Sequence, residues 1–245
     1  MRYTTVFPAL GLLIVAGSVS YAQSVHIKDY VASKLDDFTS TMKVTQHDDN
    51  AGRLINKDFG LMYKIKGDIA LQYKDENKLR LDGTIGSSRA TLIVNGTKQI
   101  VRIPGLGLNK TDDLGETPGK RKTLLDMGMI SDGYLAYTLA EFRRMAPVEG
   151  RNCAVFKISY RNKDLDTSHR IIWIDPKTKV TLKREEYNQE GKLNATFFYK
   201  NPTEIAPGIW FPTSIEVQNN KGQKAGTTLY KNVKVNQNLN DSVFK

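Results

Sequence analysis

The sequence lacks the residues on which most enzymes and small exported folds depend. It has one cysteine, Cys153, among 245 residues, so an internal disulfide is excluded. Its three histidines, His26, His47 and His169, are far apart and none has the spacing of metal ligands. A Gly-x-Ser-x-Gly nucleophile motif and a phosphate-binding loop are also missing. We therefore expect no catalytic residue, metal or cofactor, and an unrecognised hydrolase is the weakest of the alternatives.

The chain also lacks a hydrophobic run of the roughly 20 residues that a membrane-spanning helix requires. Its longest apolar stretch, residues 7–19, is shorter than this and follows a positively charged start. Ser20 and Ala22 then provide small side chains at the −3 and −1 positions of a cleavage site. The pattern predicts a cleaved secretory signal peptide, residues 1–22, with no lipid-accepting cysteine. Residues 23–245 have the length of one domain, which we expect to be soluble outside the cytoplasm.

Basic residues outnumber acidic ones. There are 36 Lys and Arg against 26 Asp and Glu, a formal net charge of +10. Such a balance favours nucleic acid, anionic lipid surfaces or acidic proteins as partners. We exclude nucleic acid because it is scarce outside the cytoplasm and because the basic residues are spread along the chain. Two interpretations stay open: the solvated faces of ordinary strands, which is the favoured one, and transient contact with a membrane surface or an acidic partner.

Hydrophobic spacing predicts many strands and a few helices. Residues 25–38 have the stripe of an amphipathic helix, and residues 123–145 have a helical pattern that Gly133 divides. Residues 104–119 form a long Gly- and Asp-rich loop, and Asn95-Gly96 predicts a hairpin. The segments with strand character are 41–47, 60–66, 69–74, 78–83, 90–94, 98–102, 153–160, 170–175, 180–187, 193–199, 209–218 and 225–235. This order predicts an α+β fold, mainly β: a curled antiparallel sheet of about 11 strands with helices covering its concave face.

Several of these segments together resemble a known family, the periplasmic lipoprotein carriers of the LolA-like outer-membrane lipoprotein-sorting superfamily. The stretches that carry the resemblance are 69–74 with 78–81, the hairpin at 92–99, 171–175 through 183–187 and 191–193, 230–236, and Phe244. The resemblance implies a half-open antiparallel β-barrel closed by helices over a hydrophobic cavity. It also implies that the cavity holds acyl chains. Arg80 is the nearest arginine to the place of an Arg-Pro pair in relatives, where this chain has Lys74-Asp75, so Arg80 is the candidate basic contact.

The candidate ligand-binding residues are apolar side chains of the middle helices and the later strands. They are Leu125, Met127, Met129, Ile130, Tyr134, Phe142, Trp173, Phe198 and Trp210. Methionine adapts to irregular shapes, which suits a lid over flexible acyl chains. The alternative is that these residues form an ordinary core. Gly128, Gly133 and the 104–119 loop are the candidate hinges of such a lid.

The resemblance, together with the predicted signal peptide, therefore implies a soluble, monomeric periplasmic carrier that shields lipid or lipoprotein acyl chains and shuttles them across the envelope. A membrane transporter or an acceptor lipoprotein would be its partner in transfer. The alternative is an envelope sensor or adaptor that binds a protein partner with the same scaffold. The two hypotheses differ in whether lipid or a membrane protein accompanies the purified chain.

Overall fold

A computed structural model describes residues 25–32, 34–56, 59, 63–75 and 77–245. The predicted signal peptide, residues 1–22, and residues 60–62 of the predicted strand at 60–66 lie outside the described residues. Residues 63–65 are not part of a strand, so that prediction is wrong for them. Within the described ranges, no helix is long and apolar enough to cross a membrane.

Thirteen antiparallel strands of the described chain form one sheet. Their bounds are β1 Asp37–His47, β2 Lys66–Lys74, β3 Lys78–Ile85, β4 Ser88–Asn95, β5 Lys98–Ile103, β6 Leu108–Asp113, β7 Thr138–Val148, β8 Arg151–Tyr160, β9 His169–Ile174, β10 Thr181–Tyr187, β11 Leu193–Ala206, β12 Ile209–Asn219 and β13 Lys224–Val235. The spatial order is β6-β5-β4-β3-β2-β1-β13-β12-β11-β10-β9-β8-β7. Two meanders thus meet where β1 pairs with β13. The terminal strands β6 and β7 do not pair with each other, so the sheet is not closed.

The helices are few and short. The α-helices of the described residues are α1 (Asp49–Arg53) and α2 (Asp132–Leu135). Single turns of 3-10 helix lie at Ile27–Tyr30, Pro104–Leu106, Pro118–Lys120, Leu124–Met127 and Asp241–Phe244. The mainly β class is confirmed, but the strands exceed the expected number of about 11.

The predicted helix at 25–38 is wrong. Only Ile27–Tyr30 is helical, and β1 already begins at Asp37. The apolar residues of the stripe are buried as expected, but against two different parts of the sheet: Tyr30 in one core cluster, Leu35 and Phe38 in the other. A segment that bridges two clusters cannot remain one helix, because a helix buries its stripe against one surface.

The predicted helix at 123–145 is also wrong. Only residues 124–127 and 132–135 are helical, and Gly133 lies inside the second turn instead of dividing the helix. After α2 the chain forms β7, which pairs with β8 from Thr138 to Val148. Phe142 and Met145 therefore lie on a strand and are partly exposed. The 104–119 loop contains strand β6. These two strands account for the additional members of the sheet.

The predicted hairpin between β4 and β5 is confirmed. Asn95 pairs with Lys98, so the two loop residues are Gly96 and Thr97, one position later than the Asn-Gly pair suggested. Gly96 has a φ of +62°. Glycine at the first loop position with positive φ is what a tight two-residue hairpin of this kind requires.

Gly128 is fixed where the Leu124–Met127 turn ends. Its φ is +84°, and its N–H donates to the carbonyls of Leu124 and Leu125. An added Cβ would lie 2.7 Å from a ring carbon of Tyr199 and 3.1 Å from Cγ of Pro212. Glycine is therefore required both for the backbone angle and for the contact with the sheet.

We predict that Gly128→Ala lowers the free energy of unfolding by about 2–4 kcal/mol, since backbone strain and overpacking add. Urea denaturation followed by circular dichroism measures this change. Gly191→Ala is the matched control: Gly191 has a φ of +72° and no atom within 4 Å of an added Cβ. It should lose only about 1 kcal/mol from backbone strain. Equal losses in the two variants would contradict close packing at Gly128.

Candidate functional site

The chain between β6 and β7, residues 114–137, lies across one face of the sheet, and we call it the connecting segment. Its apolar side chains are almost completely buried: Leu124, Leu125, Met127, Met129, Ile130 and Tyr134. Two of the three single turns of helix in this part of the chain begin with capping side chains. Thr123 and Asp126 form a reciprocal capping box, and the Ser131 hydroxyl accepts from the N–H of Tyr134.

The face under the connecting segment, the inner face, can be read from the strand register. Phe156 of β8 pairs with Ile172 of β9, which pairs with Arg184 of β10, which pairs with Phe197 of β11. Cross-strand partners point to the same side of a sheet. Phe156 and Ile172 pack in one cluster with Leu125, Ile130 and Tyr134, so this row faces the connecting segment.

Several backbone carbonyls of the connecting segment accept hydrogen bonds from residues outside it. The Tyr199 hydroxyl donates to the Leu125 carbonyl at 2.9 Å, and the Thr181 N–H donates to the Gly128 carbonyl at 2.7 Å. The N–H of Ala32 donates to the carbonyl of Ile130 at 2.9 Å. Each bond satisfies a backbone group that would otherwise be buried without a partner, so together they fix the position of the segment.

Arg184 is the first of two buried arginines beneath the connecting segment. Its side chain is 1% exposed. Its Nη1 lies 3.2 Å from Oδ1 of Asp126, and its Nη2 lies 3.2 Å from Oε1 of Glu186. The guanidinium carbon is 4.1 Å from the centre of the Phe197 ring. Asp126 belongs to the connecting segment and Glu186 to the sheet, so Arg184 joins the two electrostatically.

Arg170 is the second buried arginine and makes more contacts. Its Nη1 donates to the hydroxyls of Tyr134, at 3.2 Å, and Tyr160. Its Nη2 donates to the Gly119 carbonyl at 2.9 Å, and its Nε lies 3.4 Å from Oε1 of Glu186. The two arginines therefore share one glutamate and hold both halves of the connecting segment, from Gly119 to Tyr134.

The charges in this network stabilise one another. Burial by itself would raise the pKa of Asp126, but Lys122, Arg184 and Arg170 outweigh it and lower that pKa to about 2. Burial likewise opposes ionisation of Glu186, and the two arginines reverse the effect and lower its pKa. Each carboxylate is therefore ionised because it is paired, and each arginine is tolerated in the interior for the same reason.

The structure brings five of the predicted ligand-binding residues together. Leu125, Met127, Met129, Ile130 and Tyr134 all belong to the connecting segment and are buried. Their side chains lie in the two core clusters, so in this state they form packed core rather than the wall of an open cavity.

Phe142 lies apart from these five, at the edge of the same face. It pairs with Phe156, and the two rings are in edge-to-face contact with centroids 5.6 Å apart. Met145 pairs with Ala154, also on the inner face. Phe142 and Met145 remain 37% and 39% exposed and form an apolar rim beside the connecting segment.

The aromatic residues of the later strands are not part of the inner row, although Trp173 is buried in the same core cluster as Met127 and Met129. Trp173 and Phe198 both pair with Lys183. Lys183 directly precedes Arg184 of the inner row, so its side chain and those of its partners point to the opposite side of the sheet, the outer face. The Lys183 ammonium lies 4.4 Å from the Trp173 ring centre. Trp210 borders a surface groove of about 380 Å³ together with Arg151, Asn152, Asp175, Lys177 and Thr178.

Arg80 has contacts of its own, away from the connecting segment. Its Nε lies 2.5 Å from Oδ2 of Asp82, and its Nη1 donates to the Val243 carbonyl at 2.9 Å. Lys74 and Lys78 pair with Asp241 nearby, so the C-terminal turn is fastened across β2 and β3. Part of the role of Arg80 is therefore structural.

The buried ionic residues were missed by sequence reasoning. The solvated strand faces expected for the basic residues are wrong for Arg184, because Lys183 and Arg184 are neighbours in β10 and point to opposite sides of the sheet. The alternation of Leu182, Arg184 and Glu186 was the available signal that one arginine faces the core. Among the residues that the structure describes, no group of three His, Cys, Asp or Glu side chains could hold a metal ion.

Comparisons with known proteins agree with this architecture. A family model described as "Uncharacterized protein" matches residues 111–245, more than half of the chain. No curated protein matches significantly.

Solved structures with the same fold cover most of the chain. A LolA superfamily protein from Nitrosomonas europaea is 16% identical, covers 89% of this chain and 93% of its own, and has a TM-score of 0.59. A domain described as a putative outer membrane lipoprotein-sorting protein, from Vibrio parahaemolyticus, is 10% identical. The match covers 89% of this chain and 92% of that domain, and its TM-score is also 0.59. A DUF1329 family protein from Desulfovibrio piger is 14% identical. The match covers 86% of this chain and 90% of that protein, with a TM-score of 0.58. The likeness expected from the sequence is thus confirmed at the level of the fold.

We predict that Asp126→Asn makes stability less dependent on pH. A carboxyl group whose pKa is lowered by folding contributes stability above about pH 4, which is lost as the pH falls towards 2. The loss of unfolding free energy between about pH 5 and pH 2 should therefore be smaller in the variant by about 2 kcal/mol. Urea denaturation at a series of pH values measures it.

The control for this experiment is Asp164→Asn, which changes an exposed carboxylate in the β8–β9 loop. It should follow the wild-type pH dependence. Asp126→Asn should also be less stable than wild type at neutral pH, because Arg184 loses a partner. An unchanged acid response in Asp126→Asn would contradict the ionised, paired state of this residue.

Proposed function

The chain belongs to the family of the model that matches residues 111–245 and has the fold of the LolA superfamily, and from this premise we propose that it is a lipid carrier. It holds the acyl chains of lipids or lipoproteins on the inner face of the sheet, in the space that the connecting segment now fills. The cargo is shielded from water while the protein moves across the envelope.

The observation that carries this proposal is that the inner face of an unclosed sheet is covered by apolar side chains of the connecting segment. The connecting segment contributes its apolar side chains to the core, yet it is not a strand of the sheet. Its position depends on a few specific bonds from Tyr199, Thr181, Arg170 and Arg184. A segment of this kind can leave the inner face without breaking the strand ladder.

An acyl chain that replaced the segment would keep the wall of the inner face covered. Each methylene that leaves water for the inner face contributes about 0.8 kcal/mol. The apolar wall under the segment, which includes Phe156 and Ile172, stays buried whether segment or acyl chain covers it. The cost of opening is the loss of the hydrogen bonds and ion pairs that hold the segment, together with the exposure of its own apolar side chains, and the buried methylenes of the acyl chain have to offset both.

The rim formed by Phe142 and Met145 is the proposed entrance. Both side chains are partly exposed, and both lie on the inner face of the terminal strand β7. The aromatic contact between Phe142 and Phe156 continues the rim into the buried row. An acyl chain that first binds at the rim is therefore in position to advance under the connecting segment.

We propose that the protein acts as a monomer in the periplasm and receives or delivers its cargo at a membrane transporter or an acceptor lipoprotein. Its net charge, +10 for the full sequence and +9 once Arg2 is removed with residues 1–22, supports transient contact with anionic membrane surfaces. The proposed acyl-chain site does not include Trp173, Phe198 and Trp210, because Trp173 and Phe198 pair with Lys183 rather than with Arg184 of the inner row, and Trp210 borders the surface groove.

We predict that Phe142→Asp and Met145→Asp each weaken the binding of a fluorescent fatty acid by at least about ten-fold, because a charge at the entrance opposes the transfer of an apolar chain. Fluorescence titration of the purified protein measures this affinity. Leu165→Asp is the matched control, since Leu165 is 43% exposed and lies in the β8–β9 loop. Its affinity should equal that of the wild type.

Solvent extraction of the native protein followed by mass spectrometry identifies the cargo. Co-purified lipid or lipoprotein is the expected result. If the protein carried no lipid, bound no fatty acid and co-purified with one membrane protein, the carrier would be wrong and the sensor or adaptor would be supported.

We also predict that the protein recovered from the periplasmic fraction begins at Gln23, since cleavage is expected after Ala22. N-terminal sequencing of the exported protein tests this. A protein that retained residues 1–22 or stayed in the cytoplasmic fraction would contradict the periplasmic part of the proposal without bearing on the acyl-chain site.

A further inference from the structure

Three arginines converge on the outer face of the sheet, opposite the face that the connecting segment covers. Arg80 of β3, Arg89 of β4 and Arg102 of β5 line a surface groove of about 230 Å³ together with Thr91 and Pro104. Register explains the convergence: Asp82 pairs with Thr91, and Thr91 pairs with Arg102. This row alternates with Leu81 and Leu92, which belong to the core, so its side chains point outwards.

One carboxylate positions two of the three arginines. Oδ1 of Asp82 accepts hydrogen bonds from Nη2 of Arg80 at 3.2 Å, Nη2 of Arg89 at 3.0 Å and Oγ1 of Thr91 at 2.8 Å. Burial opposes the ionisation of Asp82, but these donors outweigh it and lower its pKa. Arg80 is also held from the other side by the Val243 carbonyl. Asp82 therefore orients the guanidinium groups but neutralises only one of them.

Arg102 adds a charge that this carboxylate does not neutralise. Its side chain is exposed, and it makes no hydrogen bond or ion pair with another residue in the described part of the chain. Three guanidinium groups and one carboxylate leave the groove with a net charge of +2. An ordinary solvated strand face carries such residues singly, whereas here they surround one concave space.

The far wall of the groove is fixed as well. The Pro104–Leu106 turn is fastened to β4 by a hydrogen bond of 2.8 Å from the N–H of Gly105 to the Ser88 hydroxyl. The turn lies so close to β4 that a Cβ on Gly105 would be 2.6 Å from the Cβ of Ser88. Pro104 is thereby held opposite the arginines, and the groove has a defined width.

We propose that this groove binds a phosphate group, as a monoester or diester. The planar guanidinium groups of Arg89 and Arg102 supply paired N–H donors that match two phosphate oxygens, and Arg80 adds a fixed positive charge behind them. The phosphate could belong to an anionic lipid headgroup or to a soluble phosphorylated molecule. The site lies on the opposite face from the acyl-chain site and does not depend on it.

Isothermal titration calorimetry of the full mature chain with glycerol 3-phosphate, at constant ionic strength, tests the soluble arm. Sedimentation with phosphatidylglycerol vesicles, against vesicles of phosphatidylcholine alone, tests the lipid arm. Arg102→Gln and Arg89→Gln should each weaken binding by about ten-fold. Arg102→Gln removes no contact within the protein, so its thermal unfolding should match that of the wild type.

The matched control is Arg144→Gln, which removes an exposed charge from β7 at the other end of the sheet. It should change binding by less than about two-fold. Binding to the soluble ester alone, or to the anionic vesicles alone, would support the site and name its source of phosphate. Binding to neither probe would overturn the proposal, and so would equal weakening by Arg102→Gln and Arg144→Gln, since that result indicates a response to net charge.

Discussion

The position of the connecting segment depends on a buried network of two arginines and two carboxylates. Arg184 and Arg170 lie under the segment, where an unpaired buried charge would lower the stability of the fold by several kcal/mol. Glu186 belongs to the sheet and stays with the arginines in any state, whereas Asp126 belongs to the segment. The charges are therefore fully paired only while the segment is docked. The docked position of the segment is therefore the arrangement in which every charge of this network has a partner.

The two faces of the sheet differ in what a ligand would meet, because the connecting segment covers only the inner face. The inner face can exchange one apolar cover for another, because side chains such as Phe156 and Ile172 require only burial. On the outer face, Arg89 is exposed and Arg80 is partly buried, and both are oriented by their bonds to Asp82. A ligand on the outer face would therefore meet an arrangement that is already formed, whereas a ligand on the inner face must displace the connecting segment.

An unclosed sheet also has to protect its terminal strands from pairing with other chains. β7 carries an irregularity between Phe142 and Arg144, and Pro147 lies near its end. A bulge and a proline both interrupt the row of backbone donors that another strand would need. The edge can thus present the apolar rim of Phe142 and Met145 without continuing the sheet. The proposed entrance for an acyl chain lies on a strand that is poorly suited to β-pairing.

The sequence by itself determined the β class, most of the strands and the β4–β5 hairpin, because alternation and turn residues act over a few positions. It also identified the apolar residues of the connecting segment, since their burial follows from composition. It could not assign β7, because the apolar spacing of residues 134–145 fits a helix as well as a strand until β8 provides a partner. Only the tertiary structure decided that Arg184 faces inwards and that Trp173 faces outwards, since the side of a strand that becomes buried depends on contacts with residues far away in the chain.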